Sequence, residues 1–291
     1  METGTAIEVK GLKKKYKSFC LDIPRLKIPE GFATALIGEN GAGKSTLMNM
    51  LAGVRKDYEG EIIYYSQEEL SNEELAESIG YVGTKGYFMP HWTIKAIGEI
   101  SELIFTSFHK DRYRSLCENL GLTSEKKKME KLSEGMKMKT ALAAVWARDT
   151  RCLLLDEPAS SLDPLMREKL CEMIGAYLAQ EEGKKTVFFS THNIADMEGI
   201  TDYCIIMDRG KILEQGYVED LKEKYILIKG EEKPEEVKKI LLGFRLGTYG
   251  YEGICRVDQW ERIAGINVLA QRPTLSQISI ALMKQAAKER G

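Results

Sequence analysis

Between Phe32 and Glu214 short apolar, β-branched runs alternate with longer stretches whose apolar residues recur at helical spacing. Phe32–Ile37 precedes the helical run Lys44–Val54, Cys152–Leu155 precedes Pro164–Gln180, and Thr186–Ser190 precedes Asn193–Glu198. This alternation predicts an α/β sheet covered by helices. From Thr93 to Arg148 the strand signal vanishes, and Gly121 and the lysine-rich Ser124–Lys131 are the main breaks in a helical pattern. An all-helical subdomain is expected there, over about residues 86–150. Tyr203–Met207 and Lys211–Glu214 flank Arg209-Gly210 as a two-strand return. The pattern resets at the charged stretch Val218–Lys224, so residues 1–217 are read as one domain and 218–291 as a small α+β appendage. Its strands are expected at Tyr225–Lys229, Phe244–Tyr249, Gly253–Val257 and Gly265–Ala270, with helices at Pro234–Leu242 and from Thr274. In the last helix Leu275, Ile278, Leu282 and Met283 fall near one face, as core packing requires.

One segment carries specific chemistry. Gly38-Glu39-Asn40-Gly41-Ala42-Gly43-Lys44-Ser45 fits G-x-x-x-x-G-K-[ST], directly after an apolar strand and before a helix opening at Thr46. Gly38, Gly41 and Gly43 let the backbone turn sharply and aim its N–H groups at phosphate oxygens, where a helix N-terminus already favours negative charge. Lys44 is placed to reach β- and γ-phosphates, and Ser45 offers a hydroxyl to Mg²⁺. Cys152–Leu155 runs into Asp156-Glu157-Pro158. At the carboxyl end of such a strand Asp156 suits Mg²⁺, and Glu157, pointing differently, suits polarising an attacking water. Thr186–Ser190 ends at Thr191-His192, placing an imidazole where it can bond the γ-phosphate or hold that water.

In this order the motifs resemble the ATP-binding cassette of ABC transporters over about residues 5–215. Leu132-Ser133-Glu134-Gly135-Met136 stands where that family carries its L-S-G-G-Q signature, and Ser160-Ser161-Leu162-Asp163 resembles its D-loop, with His192 at its switch-histidine position. The resemblance implies a P-loop NTPase fold with a RecA-like core and helical subdomain, ATP and Mg²⁺ as ligands, and ATP hydrolysis by Lys44, Glu157 and His192. It adds Asp163 and the phosphate-loop residues through Thr46 to the nucleotide site. Ser133 is a natural N-cap, so the helix it opens is a second anion site that one chain cannot apply to its own nucleotide. The family pairs two cassettes head-to-tail, which would bring Ser133 and Gly135 to the partner's γ-phosphate. Tyr16, among Lys13, Lys14, Lys15 and Lys17, matches the aromatic that stacks on adenine.

Two departures stand out. No glutamine follows the strand Ile79–Val82; Thr84 occupies the nearest position, and its shorter hydroxyl weakens the usual contact to Mg²⁺ and water. In the signature, Glu134 puts a carboxylate beside a phosphate site, which Lys137 or Lys139 would have to offset. The relaxed signature and Arg272-Pro273-Thr274-Leu275 resemble the subgroup exporting antimicrobial peptides and bacitracin-type drugs. The aromatic cluster Tyr87, Phe88 and Trp92 suits either a groove for a helix of a membrane subunit or the subdomain's own core.

Bulk properties narrow the function. With 42 basic and 44 acidic side chains the net charge is -2, so nothing global attracts nucleic acid, and none is expected as a partner. No apolar stretch approaches the roughly 20 residues that cross a bilayer, and the N-terminus has no secretory apolar core. Six scattered cysteines without a C-x-x-C pair predict reduced thiols. The expectation is an ATPase subunit peripheral to the cytoplasmic face of the membrane, powering export of a peptide, drug or lipid through a separate membrane subunit, with a second cassette as partner. A soluble ABC ATPase on ribosomes or DNA, or a weakly hydrolysing regulatory cassette, are the alternatives.

Overall fold

The computed structural model describes residues 4–66, 70–84, 88–231, 235–248, 250–262 and 268–290. The chain opens with an antiparallel pair, β1 (Thr5–Lys15) and β2 (Cys20–Pro29), then the strand–helix unit β3 (Ala33–Ile37) and α1 (Lys44–Leu51). β4 (Glu59–Tyr64) returns to pair with β1, giving a three-stranded sheet ordered β2-β1-β4. Ser71 and Glu74 form a capping box that starts α2 (Asn72–Ser78), which leads into β5 (Ile79–Val82).

A helical arm follows, built from α3 (Ile94–Ile104), α4 (Lys110–Asn119) and α5 (Glu134–Trp146). Thr93 caps α3 and Ser133 caps α5, each accepting a backbone N–H from its first turn. The strand-free stretch expected here is found, apart from isolated bridges at Thr93 with Lys128 and Phe108 with Arg148. The chain also breaks at Phe105–His109, a turn that the residue pattern did not signal.

The six-stranded central sheet then completes with β6 (Cys152–Asp156), α6 (Pro164–Leu178), β7 (Thr186–Thr191), β8 (Tyr203–Asp208) and β9 (Lys211–Tyr217). Its order is β5-β6-β7-β3-β8-β9, parallel except for the β8–β9 return. β3, β6 and β7 are buried along their whole lengths, which is why they read as unbroken apolar runs. Their carboxyl ends lie at one edge. Asn193–Glu198, expected as a helix, is instead two 3-10 turns, Ile194–Asp196 and Glu198–Ile200. The Asn193 side chain accepts the Ala195 N–H two residues on, and Gly199, a poor helix former, sits inside the second turn, so no α-helix propagates.

Beyond α7 (Val218–Lys224) come β10 (Tyr225–Gly230), α8 (Glu235–Ile240), β11 (Leu242–Gly247), β12 (Gly250–Arg256), a 3-10 turn Val257–Arg262, β13 (Leu269–Gln271) and α9 (Leu275–Lys288). The sheet order β11-β12-β10-β13, antiparallel throughout, is the split β-α-β arrangement with its second helix reduced to a 3-10 turn. Val237 and Leu241 cover one face over Ile228, Tyr251 and Cys255. On the other face Leu275, Ile278 and Ala281 of α9 join Leu227 and Ile254 in a buried cluster that continues through Ile194 and Met197 to the central sheet and α5. Leu282 and Met283 pack against the same cluster, as their spacing predicted. The opposite face of the central sheet packs on the β2-β1-β4 sheet in a second cluster. All six cysteines are free thiols. Among the described residues no helix is long and apolar enough to cross a membrane.

Candidate nucleotide site

The loop between β3 and α1 carries the phosphate-loop motif, and two of its glycines are there for steric reasons. Gly43 ends the loop with φ 105°, a left-handed conformation open to glycine, and caps α1 through its backbone. A Cβ on Gly38 would lie 2.5 Å from the Met207 carbonyl oxygen, so the loop is pressed against β8. Three backbone bonds fix its shape: Gly38 N–H to Thr191 O at 3.2 Å, Ala42 N–H to Glu39 O at 3.1 Å, and Gly210 N–H to Ala42 O at 2.7 Å. The N–H groups of the first turn of α1, Lys44 to Thr46, have no carbonyl within the helix, which leaves them for an anion.

Lys44 is buried, and its ammonium donates to Gly38 O at 2.7 Å and Glu39 O at 3.2 Å. It also lies 3.0 Å from Oε1 of Glu157. Oε2 of Glu157 is 2.7 Å from His192 Nδ1. With a carboxylate as acceptor, Nδ1 carries the proton and donates the bond. Lys44, Glu157 and His192, predicted from three separate segments, therefore form one continuous row. Glu157 has φ 53°, which turns its side chain away from the strand direction that Asp156 follows. Lys44 and Glu157 of this row line a cleft of about 260 Å³ together with Phe19, Glu39, Asn40, Gly41, Gly43, Ser45, Thr46 and Thr84, while His192 lies outside that lining.

Asp156 is fully buried, and one of its oxygens, Oδ2, has no hydrogen-bond partner among the described residues. Burial pushes its carboxyl above the usual carboxylate range, opposed by the hydroxyls of Ser190 and Ser45. A buried carboxylate oxygen without a donor, next to the Ser45 hydroxyl, is the hard oxygen donor set that Mg²⁺ takes. Ser190 is the residue that the motif analysis passed over. Its hydroxyl donates to Asp156 Oδ1 and accepts the Glu157 N–H at 2.9 Å, holding both acids from the adjacent strand. Only the pairing of β6 with β7 reveals this, since in sequence Ser190 is one more small residue in an apolar run.

Phe19 was also missed. Its ring end would meet a Cβ on Gly43 at 2.6 Å, and its centroid is 5.8 Å from that of Tyr16. Tyr16 itself is about one-third exposed, with Lys14 and Arg55 positioned over its ring at 5.8 and 5.6 Å. Phe19 thus lies against the phosphate loop, and Tyr16 stands beside Phe19, outside the lining of the cleft.

The signature residues stand apart from this row. Ser133 is exposed and accepts the Met136 N–H at 3.3 Å. Gly135 is held against the D-loop, where a Cβ would come 2.8 Å from Ser161 O. Glu134 projects to solvent and is paired with Lys137 at 2.7 Å, the offset that its charge requires. Asp163 accepts the Met166 N–H at 3.1 Å and so caps α6, followed by Pro164 at the first helical position. Thr84 lies on the lip between the nucleotide cleft and a groove of about 680 Å³ lined by Phe88, Pro90, Met129, Glu134, Lys137 and Ser160. Phe88 and Trp92 pack partly buried against the arm's core while Phe88 also lines that groove; Tyr87 lies outside the described residues.

Comparison with known proteins finds the chain's similarities among ATP-binding cassettes. A family model described as ABC transporter matches residues 21–160, and one described as an AAA domain, putative AbiEii toxin, matches 125–196. The tungstate uptake system ATP-binding protein TupC of Peptoclostridium acidaminophilum is 32% identical over 212 residues, covering 72% of this chain and 97% of that protein. The bacitracin transport ATP-binding protein BcrA of Bacillus licheniformis is 29% identical over 263 residues, covering 87% and 85%. Among solved structures, a dimeric ATP-binding cassette in a post-hydrolysis state bound to ADP and Pi superposes with a TM-score of 0.62 at 23% identity, over 72% of this chain and 98% of that one.

Proposed function

This chain belongs to the ABC transporter ATP-binding subunits, and from that membership we propose that it powers export of a peptide, drug or lipid through a separate membrane protein. Binding of ATP, with Mg²⁺ as its usual partner, and hydrolysis coupled to transport are the activities of the family. The site observation carrying the reading is the row Lys44–Glu157–His192 at the mouth of the phosphate loop, with contacts of 3.0 and 2.7 Å.

Each residue then has a role. The loop amides and Lys44 hold the phosphates, and Tyr16, with Phe19 beside it, stacks on the base. Ser45 and Asp156 hold Mg²⁺, which when bound neutralises charge on the phosphate oxygens. Glu157 accepts a proton from the attacking water, and His192, donating Nδ1–H to Glu157, keeps that carboxylate oriented. Ser133 and Gly135 serve the nucleotide of a second cassette, docked head-to-tail with Asp163 at the junction. Residues 218–291 form an accessory unit, and the chain works as a peripheral subunit at the cytoplasmic face of the membrane.

Export is the direction that the relaxed signature and Arg272-Pro273-Thr274-Leu275 suggest, and a peptide-drug cargo is favoured because the bacitracin transport protein BcrA matches over 87% of this chain, into the accessory unit, whereas the tungstate uptake protein TupC is 97% covered within 212 residues. The groove beside Thr84, floored by Phe88, is the natural seat for a helix of the membrane protein. The test is capture of Glu157→Gln from solubilised source cells with ATP and Mg²⁺, alongside its phosphate release. Recovery of a multi-span membrane protein whose deletion abolishes efflux supports the reading. Recovery of a solute-uptake system, ribosomes or soluble protein alone refutes export, and undiminished phosphate release refutes the role of Glu157.

A further inference from the structure

Residues 193–200 follow His192 directly and run between two walls. On one side Arg167 of α6 donates to Asp196 Oδ2 at 2.7 Å, and Asn193 Nδ2 reaches the same oxygen at 3.1 Å. On the other side stands the accessory unit. The Glu198 carboxylate oxygen Oε1 accepts the backbone N–H of Leu275, the first residue of α9, at 3.0 Å. The same oxygen lies 3.0 Å from Lys222 Nζ of α7. Both side chains are only 19% exposed, so water competes weakly for the contact.

The start of α9 is organised for this contact. Thr274 and Gln277 close a capping box that satisfies their own backbone N–H groups. Leu275 N–H is left over by that box, and it is taken by a carboxylate from the switch-histidine segment instead of by water. The favourable charge at a helix N-terminus adds to the bond. Below it, Ile194 and Met197 are buried in one cluster with Leu275 and Ile278. The Pro273-Thr274-Leu275 stretch, which the nucleotide site leaves without a role, is thus the docking point of the histidine segment.

We propose that Glu198 is a positioning residue for hydrolysis: by clamping the His192 segment to the N-terminus of α9 it fixes His192 against Glu157, so the accessory unit sets turnover. The inference rests on the catalytic reading of His192 and deepens it. The phosphate loop touches neither Glu198 nor Leu275, so loosening the clamp leaves nucleotide binding alone. It lets the imidazole leave its 2.7 Å contact with Glu157, and such misplacement is expensive in rate.

The test is a double-mutant cycle on steady-state ATP hydrolysis by the full chain with its partners. Glu198→Ala lowers kcat about tenfold while KM for MgATP stays within about twofold. Glu198→Gln keeps an acceptor for Leu275 N–H, loses the charge facing Lys222, and recovers kcat to within about threefold of wild type. In a His192→Ala background, Glu198→Ala costs less than about twofold more, because the residue it positions is gone. Additive losses, a raised KM with unchanged kcat, or equal effects of Gln and Ala overturn the proposal. If His192→Ala leaves kcat unchanged, the catalytic reading fails and takes this inference with it; if His192→Ala slows turnover and Glu198→Ala does not, only the inference fails. Should Glu198→Ala not fold, Glu198→Gln goes through the same cycle and its smaller loss must also vanish beside His192→Ala.

Discussion

Replacing Ser190 by Ala removes one buried hydroxyl that serves two acids at once. Its bond to Asp156 Oδ1 is charge-assisted, and losing such a bond to a buried carboxylate costs about 1.5–3 kcal/mol. The Glu157 N–H, 2.9 Å from the same hydroxyl, loses its acceptor, which adds about 1 kcal/mol where water enters the cleft. The expected loss at neutral pH is about 3 kcal/mol, or a fall in melting temperature of about 5 °C for a chain of this length. The pH dependence carries the sign. Asp156 already titrates above its ordinary value because burial disfavours its charge, and Ser190 is the first of the groups pulling it back. A carboxyl with a raised folded-state pKa favours the fold below its unfolded value, and that contribution is lost as pH rises through the folded value. Without Ser190 the folded value rises further, so the variant's deficit is largest at neutral pH and shrinks on acidification, where a neutral carboxyl needs no donor. Thermal melts of both proteins from pH 7.5 to 5, followed by circular dichroism, check this. A shift under about 2 °C, or one that does not narrow on acidification, refutes the assignment of Ser190 as the holder of both acids.

Three other outcomes are expected. Tyr16→Ala and Phe19→Ala each weaken nucleotide binding by about fivefold, at an aromatic contribution of about 1 kcal/mol, with kcat little changed; fluorescent-nucleotide titration measures the affinity. Gly38→Ala places a methyl group 2.5 Å from Met207 O, so the loop must leave β8, and nucleotide binding drops more than about tenfold in the same titration. Glu157→Gln keeps its contact distance to Lys44 but loses the base, so phosphate release falls at least about a hundredfold while binding persists in a filter assay.

The phosphate loop, the acid strand and His192 were legible because each is a local pattern whose spacing is set by one turn or one strand end. Their assembly into a row was not, since it depends on β6, β7 and β3 lying side by side. The antiparallel sheet was hidden for a different reason. β2 contains Pro24 and Pro29, which argue against a strand, yet β2 is an edge strand and Pro24 is exposed there. Phe19 sits in a lysine-flanked turn with no periodicity to mark it. The Glu198 contact joins segments far apart in sequence, and no helix-capping rule anticipates a donor satisfied by another element. In the accessory unit strand existence was legible, while bounds shifted by one to several residues, as at the start of Leu242–Gly247; Gly265–Asn267 of the last expected strand lie outside the described residues.

The left-handed backbone at Glu157 makes this one position locally frustrated. A residue with a Cβ gives up about 1–2 kcal/mol there relative to an ordinary conformation, and glycine would relieve the strain. Improving the fold at residue 157 and preserving its chemistry therefore pull in opposite directions. Stabilising substitutions sought by melting temperature alone are drawn toward glycine or asparagine here and discard the carboxylate facing Lys44 and His192. A screen for robust variants of this chain needs turnover as its second axis, because at this residue the more comfortable backbone is the inactive one.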